Sequence, residues 1–149
     1  QIGSNGKIIG VDLHSIEPLK NVILLQRSVE DAKLAENLLD TTHSYFDVLL
    51  SDLSPRVSGI WQYDHVRQIS LSLNALQLAL KILRCGGNAI FKVFEGEMAN
   101  EFKEEVSNNF ATIMISKPKA SRQESSEFYI VCKNHIRKDV IQPVPASQS

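Results

Sequence analysis

At 149 residues, 43% hydrophobic and 22% charged, the chain is long enough to bury a substantial core and too short for two ordinary domains. Its 16 Lys and Arg against 17 Asp and Glu give a net charge of −1, so no whole-chain field attracts a polyanion and nucleic-acid binding requires a local patch. No apolar run approaches the roughly 20 residues that cross a bilayer, and Cys85 and Cys132 form no metal-ligand or disulfide spacing, which suits a reducing, cytoplasmic setting.

The first apolar run, "KIIGVDL" (7–13), follows the turn formers Gly3-Ser4-Asn5-Gly6 and ends on an acid, the pattern of a buried strand. "VILLQ" (22–26) predicts a second. Ser28, followed by Glu30 and Asp31, supplies the hydroxyl and acids of a helix N-terminus, and a short helix through Leu34, Leu38 and Leu39 leads to a third strand at 46–51. That strand stops at Ser51-Asp52 and turns through Ser54-Pro55, with Gly59 just beyond. Val66, Ile69, Leu73, Leu76, Leu80 and Leu83 then recur at spacings of three and four, the strongest helical signal in the chain, and Gly86-Gly87 is expected to stop it. "NAIFKVF" (88–94) predicts a strand, and 97–109 a helix with Met98, Phe102 and Val106 on one face. "ATIMIS" (111–116) and "EFYIVC" (127–132) predict the last two strands. Alternating strand and helix predict an α/β fold, a mostly parallel sheet covered by helices, over residues 1–133. Residues 134–149 carry too little apolar content to pack and are expected to form a flexible tail.

Lys92 is a cation inside "AIFKVF". If the strands at 46–51 and 88–94 are parallel neighbours, Asp52 and Lys92 both lie toward their shared carboxyl edge. If "EFYIVC" runs antiparallel beside the second, Glu127 falls on that edge too, with strands about 4.8 Å apart. Taken singly, these are a turn aspartate, a snorkelling lysine and a solvated strand end. Together they sit where open α/β sheets bind their ligands.

"GKIIGVDL", "LLSDLSPRVSG", "AIFKVFEGE" and "SSEFYIVC", in this order and spacing, resemble the RrmJ/FtsJ ribose 2′-O-methyltransferases over residues 1 to about 133. The resemblance implies a Rossmann-like fold that uses S-adenosylmethionine, with an antiparallel last strand. It implies that Asp52, Lys92 and Glu127 are the last three members of a Lys-Asp-Lys-Glu tetrad holding the target ribose. It further implies that Asp12, Leu13, Ser28, Val29 and Asp52 line the cofactor: Asp12 at its ribose, Leu13 by the adenine, and Ser28 where the family usually has an Asp bonding the adenine amino group. The family's first strand, Gly-rich cofactor loop and first tetrad Lys precede the match at Gln1. The chain is therefore expected to be N-terminally incomplete, to lack a strand between those at 7–13 and 46–51, and to bind adenosylmethionine and transfer methyl groups poorly alone.

The expected activity is 2′-O-methylation of a ribose in RNA, most directly a uridine of large-subunit ribosomal RNA, with Lys92 as general base and Asp52 and Glu127 orienting it and the substrate. Lys117, Lys119 and Arg122 in "KPKASRQ" are expected to hold phosphates. The alternatives are 2′-O-methylation of a tRNA anticodon loop and a non-catalytic RNA-binding or ribosome-assembly module that keeps the fold. Trp61 either stacks a base or fills its own loop's core. No metal and no membrane partner are expected.

Overall fold

Two parallel strands open the chain, β1 (Ile8–Asp12) and β2 (Val22–Gln26), paired from Ile8↔Val22 to Asp12↔Gln26. The computed structural model describes residues 2–117 and 126–136. After α1 (Leu34–Thr42) come β3 (Phe46–Ser51), α2 (Trp61–Ile82), β4 (Leu83–Phe94), α3 (Ala99–Ser107), β5 (Phe110–Ser116) and β6 (Glu127–His135). The last four strands form one sheet in the order β3-β4-β6-β5, in which β3 and β4 are parallel and β6 runs antiparallel to both β4 and β5. This is the α/β architecture that the alternating periodicities predict. Among the described residues no ladder joins β1 to β3, so the strands form two separate sheets.

The alternation of β4 and β6 explains where the core sits. Ala89, Phe91 and Val93 of β4 and Phe128, Ile130 and Cys132 of β6 face one side and pack on Ile69, Leu76, Phe102 and Val106 of α2 and α3. Phe91 and Phe102 meet edge to face at 5.8 Å, and each such fully buried side chain stabilises the fold by roughly 1.5–3 kcal/mol. A second, smaller cluster around Leu34, Leu38 and Ile82 takes in Ile9, Val11 and Leu25, and so docks the β1–β2 ribbon through α1 and α2. The opposite face of the four-stranded sheet carries Val48, Leu50 and Met114, all exposed.

Three local expectations are corrected. Gly86-Gly87 does not end the long helix. The chain is already extended at Leu83, and register pairs jump from Phe46↔Leu83 to Val48↔Asn88, so Arg84 to Gly87 bulge opposite Asp47. Gly86 there has φ +76°, and a Cβ on Gly87 would lie 3.0 Å from the Arg84 carbonyl oxygen and 3.2 Å from that of Asp47, so both glycines serve the bulge. Arg84 Nε closes it with a 2.5 Å hydrogen bond to Asp47 Oδ1. Secondly, Ser28 starts no helix: α1 begins at Leu34, and the Ser28 hydroxyl instead accepts the Glu30 N–H at 3.1 Å in a turn. Thirdly, β6 continues past Cys132 to His135, which is buried; the rest of the expected tail, 137–149, lies outside the described residues.

Candidate active site

β3 makes its last pair with β4 at Ser51↔Phe91, and the chain then leaves the sheet. That departure frees Asp52, whose side chain is 74% exposed, from the ladder. β4 continues for three more residues with β6 beside it, pairing Lys92↔Tyr129, Val93↔Phe128 and Phe94↔Glu127. Phe91 and Val93 point into the core, so alternation turns Lys92 to the other face, where its Nζ lies 3.2 Å from Asp52 Oδ1. Lys92 is only 9% exposed. An ammonium so enclosed needs a partner, and Asp52 supplies it.

Tyr129, directly opposite Lys92, donates its hydroxyl to the same Asp52 oxygen at 3.0 Å. Its phenol is held above its ordinary value of 10.0, first by burial, then by the hydrogen bond to Asp52 and the charges of Asp52 and Glu127, so it stays protonated and donates. Glu127 shares the face of Tyr129, two residues away, and is the diagonal neighbour of Lys92 across the strand pair, a relation of about 7–8 Å between Cα atoms. The structure thus brings Asp52 and Lys92 into direct contact and sets Glu127 one step along the same edge. Sequence reading missed Tyr129, although its parity with Glu127 in "EFYIVC" was the available signal.

The turn that carries Asp52 away is fixed from α2. Asp64, in the helix's first turn, accepts the Ser58 N–H at 2.9 and 3.1 Å and the Gly59 N–H at 3.3 Å. These bonds, led by that from the Ser58 backbone, hold its carboxyl below 3.8 against the opposing effect of burial. Trp61 stacks on Phe94 at 5.8 Å and on His65 at 6.2 Å, filling the loop's own core while staying half exposed. The His65 ring in turn leaves no room at Gly96, where a Cβ would fall 2.5 Å from it.

The residues expected on the cofactor side are more open. Asp12 ends β1, and its Oδ1 accepts the His14 N–H at 2.7 Å. It lines a pocket of about 130 Å³ with Gly10, His14, Ser15, Ile16, Leu24, Leu25 and Gln26. Leu13 is exposed, Ser28 is engaged in its turn, and Val29 packs against the main core. Of the expected phosphate-binding residues, Lys117 forms an ion pair with Glu95 at 3.4 Å, while Lys119 and Arg122 lie outside the described residues. Among the described residues no cluster of His, Cys, Asp and Glu is arranged to hold a metal ion, and no helix is long and apolar enough to cross a membrane. Burial pushes the Cys132 thiol up to about 12, which removes it as a nucleophile.

Comparison with known proteins gives the chain a family. Ribosomal RNA large subunit methyltransferase E of Nitrosopumilus maritimus is 43% identical over 138 residues, covering 90% of this chain and 68% of that protein. Its counterpart in Methanothrix thermoacetophila is 41% identical over 137 residues, covering 92% and 54%. The chain spans about half to two thirds of the length of these curated relatives. A crystal structure of a ribosomal RNA methyltransferase from Plasmodium falciparum superposes with a TM-score of 0.78 at 26% identity, over 89% of this chain and 74% of that one. A family model for FtsJ-like methyltransferases matches residues 1–135, and the chain belongs to that family.

Proposed function

We propose that this chain is the catalytic portion of an S-adenosylmethionine-dependent enzyme that methylates a ribose 2′-hydroxyl of RNA, most directly a uridine of large-subunit ribosomal RNA. The observation that carries the reading is the enclosed Lys92 ammonium, 3.2 Å from Asp52, on a sheet edge shared with Tyr129 and Glu127. A lysine and two carboxylates suit a ribose hydroxyl: they hydrogen-bond it, orient it and accept its proton, whatever base it carries.

The residues on β1 and β2 suit part of the cofactor. A carboxylate held by the His14 N–H and lining a pocket of about 130 Å³ matches a ribose diol, the size of part of a cofactor site. Asp12 would hold the diol, Leu13 and Val29 would flank the adenine, and Ser28 would approach it with the hydroxyl proton that its bond from Glu30 leaves free. The cofactor, when bound, supplies an electrophilic methyl. The chain's own part is alignment and proton removal: Lys92 must first release its ammonium proton to solvent and then takes the hydroxyl proton as the free amine, while Asp52, fixed by Tyr129, and Glu127 hold the lysine and the ribose in line. RNA would lie across the exposed loop and helix start, where Arg56, Trp61, Tyr63 and Arg67 mix positive charge with aromatic faces. Lys117, with Lys119 and Arg122 of the same sequence segment, is a further candidate for contact with phosphates.

The test is a methyl-transfer assay with the complete gene product, unmodified large-subunit ribosomal RNA and labelled adenosylmethionine, the product being mapped to base or ribose. We expect a 2′-O-methylated uridine. Lys92→Ala should lower turnover by about 100- to 10,000-fold, the range of general acid–base catalysis, while leaving cofactor affinity intact. Methylation of tRNA in place of ribosomal RNA would move the substrate and keep the chemistry; full activity in Lys92→Ala would overturn the site.

A further inference from the structure

Lys92 to Phe94 are the residues of β4 that β3 no longer covers, because β3 pairs only as far as Ser51↔Phe91. A strand edge left open there would expose the Lys92 carbonyl and the Phe94 N–H without partners in the middle of the protein. The gap is filled by one side chain. Gln68 of α2, with no exposed surface, donates Nε2 to the Lys92 carbonyl at 2.7 Å and accepts the Phe94 N–H on Oε1 at 3.0 Å. In a parallel ladder, one residue of the neighbouring strand bonds the carbonyl before and the N–H after the residue it faces. The Gln68 carboxamide makes this pair of bonds around Val93, and so replaces a strand residue with a side chain. Ser72, one helical turn further and 1% exposed, accepts from Gln68 Nε2 at 2.9 Å and donates to the Lys92 carbonyl at 3.1 Å.

The geometry points to Gln68 as a positioning residue for the methyl-transfer site: with Ser72 it pins the backbone of Lys92 and thereby sets the lysine ammonium against Asp52. The arrangement has a functional logic. β3 must end at Ser51 for Asp52 to leave the ladder and meet Lys92, and that ending removes the partner that would have held Lys92 in place. Gln68 lets the strand stop early without loosening the residue it exposes. It touches neither ribose nor cofactor, so its influence reaches the reaction only through Lys92, and the inference rests on the functional reading above.

The experiment measures kcat and KM for RNA and for adenosylmethionine on the complete gene product, well below the melting temperature of every variant. Gln68→Met keeps the length and removes both polar bonds; it should lower kcat about 10- to 100-fold, as expected for a reacting group displaced by up to 1 Å, with both KM values within about twofold. Ser72→Ala, which removes one hydroxyl, should lower kcat severalfold and decides the matter if Gln68→Met does not fold. Ile82→Val, a core change at the far end of the same helix, reports how destabilisation alone behaves and should leave kcat unaltered. In amide hydrogen exchange the Phe94 N–H should be protected in the parent and fast in Gln68→Met. Parent-like kcat in both Gln68→Met and Ser72→Ala, alongside an inactive Lys92→Ala, would overturn the positioning role alone; an active Lys92→Ala would overturn the functional reading beneath it.

Discussion

The two sheets of this protein are built to different standards. In β4 the last four residues are all buried and the strand is flanked on both sides, whereas no residue of β1 is fully buried and its only strand partner among the described residues is β2. Lys92 and its partners belong to the four-stranded sheet, and Asp12 belongs to the ribbon. A two-stranded ribbon is marginal by itself, and this one relies on Ile9, Val11 and Leu25 packing against α1 and α2. The difference teaches where rigidity is needed: transferring a methyl group demands alignment to a fraction of an ångström, and Lys92, proposed for it, is anchored to the core, while Asp12, proposed for the cofactor, is held by a few local bonds.

The sharpest way to break this comparison is to weaken each sheet in turn. Phe102→Ala removes a ring that packs edge-on against Phe91 beneath the four-stranded sheet and should cost about 3–5 kcal/mol. Leu25→Ala, on the half-buried face of β2, should cost roughly 1–2 kcal/mol, since only part of its area leaves water. Urea midpoints measure both, with unchanged slopes showing that the same cooperative unit unfolds. Equal losses would mean that the ribbon is as integral to the core as β4.

A smaller effect separates the two sheets by function. Asp12→Ala removes a charged acceptor from a ribose diol, a loss of about 1.5–3 kcal/mol or roughly 10- to 100-fold in cofactor affinity, whereas Lys92→Ala should leave that affinity alone. Isothermal titration of adenosylmethionine into the two variants of the complete gene product checks it. Equal affinities would detach Asp12 from the cofactor.

Much of this organisation was legible in the sequence because it depends on parity and spacing. Lys92 stood out as a cation inside an apolar strand, and the acid at the end of β3 marked the carboxyl edge. Strand order came from resemblance and topology rules, and the antiparallel β6 duly sets Glu127 at that edge. What escaped is what depends on a particular three-dimensional meeting. Gln68 and Ser72 carry no sequence motif that singles them out, and only the early end of β3 gives them a task. Gly86-Gly87 read as a helix stop because glycine favours both a helix C-terminus and a bulge, and the register against Asp47 decides between them. Ser28 read as a cap because a serine turn and a helix N-terminus use the same hydroxyl-to-N–H bond.

The finest contrast is between two aspartates that each hold a turn. Asp12 takes one N–H, from His14, while Asp64 takes those of Ser58 and Gly59 in three short contacts. The bonds to Asp64 favour its ionised form, so its carboxyl titrates below 3.8 in the folded protein. A carboxyl whose folded value is depressed contributes stability that is fully present above the unfolded value and is lost as pH falls through the folded one. Asp64→Asn should therefore unfold at lower urea than the parent at neutral pH, because an amide cannot accept both N–H groups with two oxygens. As the pH falls through the depressed folded value the parent protonates and loses the same bonds, so the two midpoints should converge in acid. A gap of constant size across that range would show that the Asp64→Asn variant differs from the parent by packing alone, and that the charge on Asp64 does not hold the turn through which Asp52 leaves the sheet.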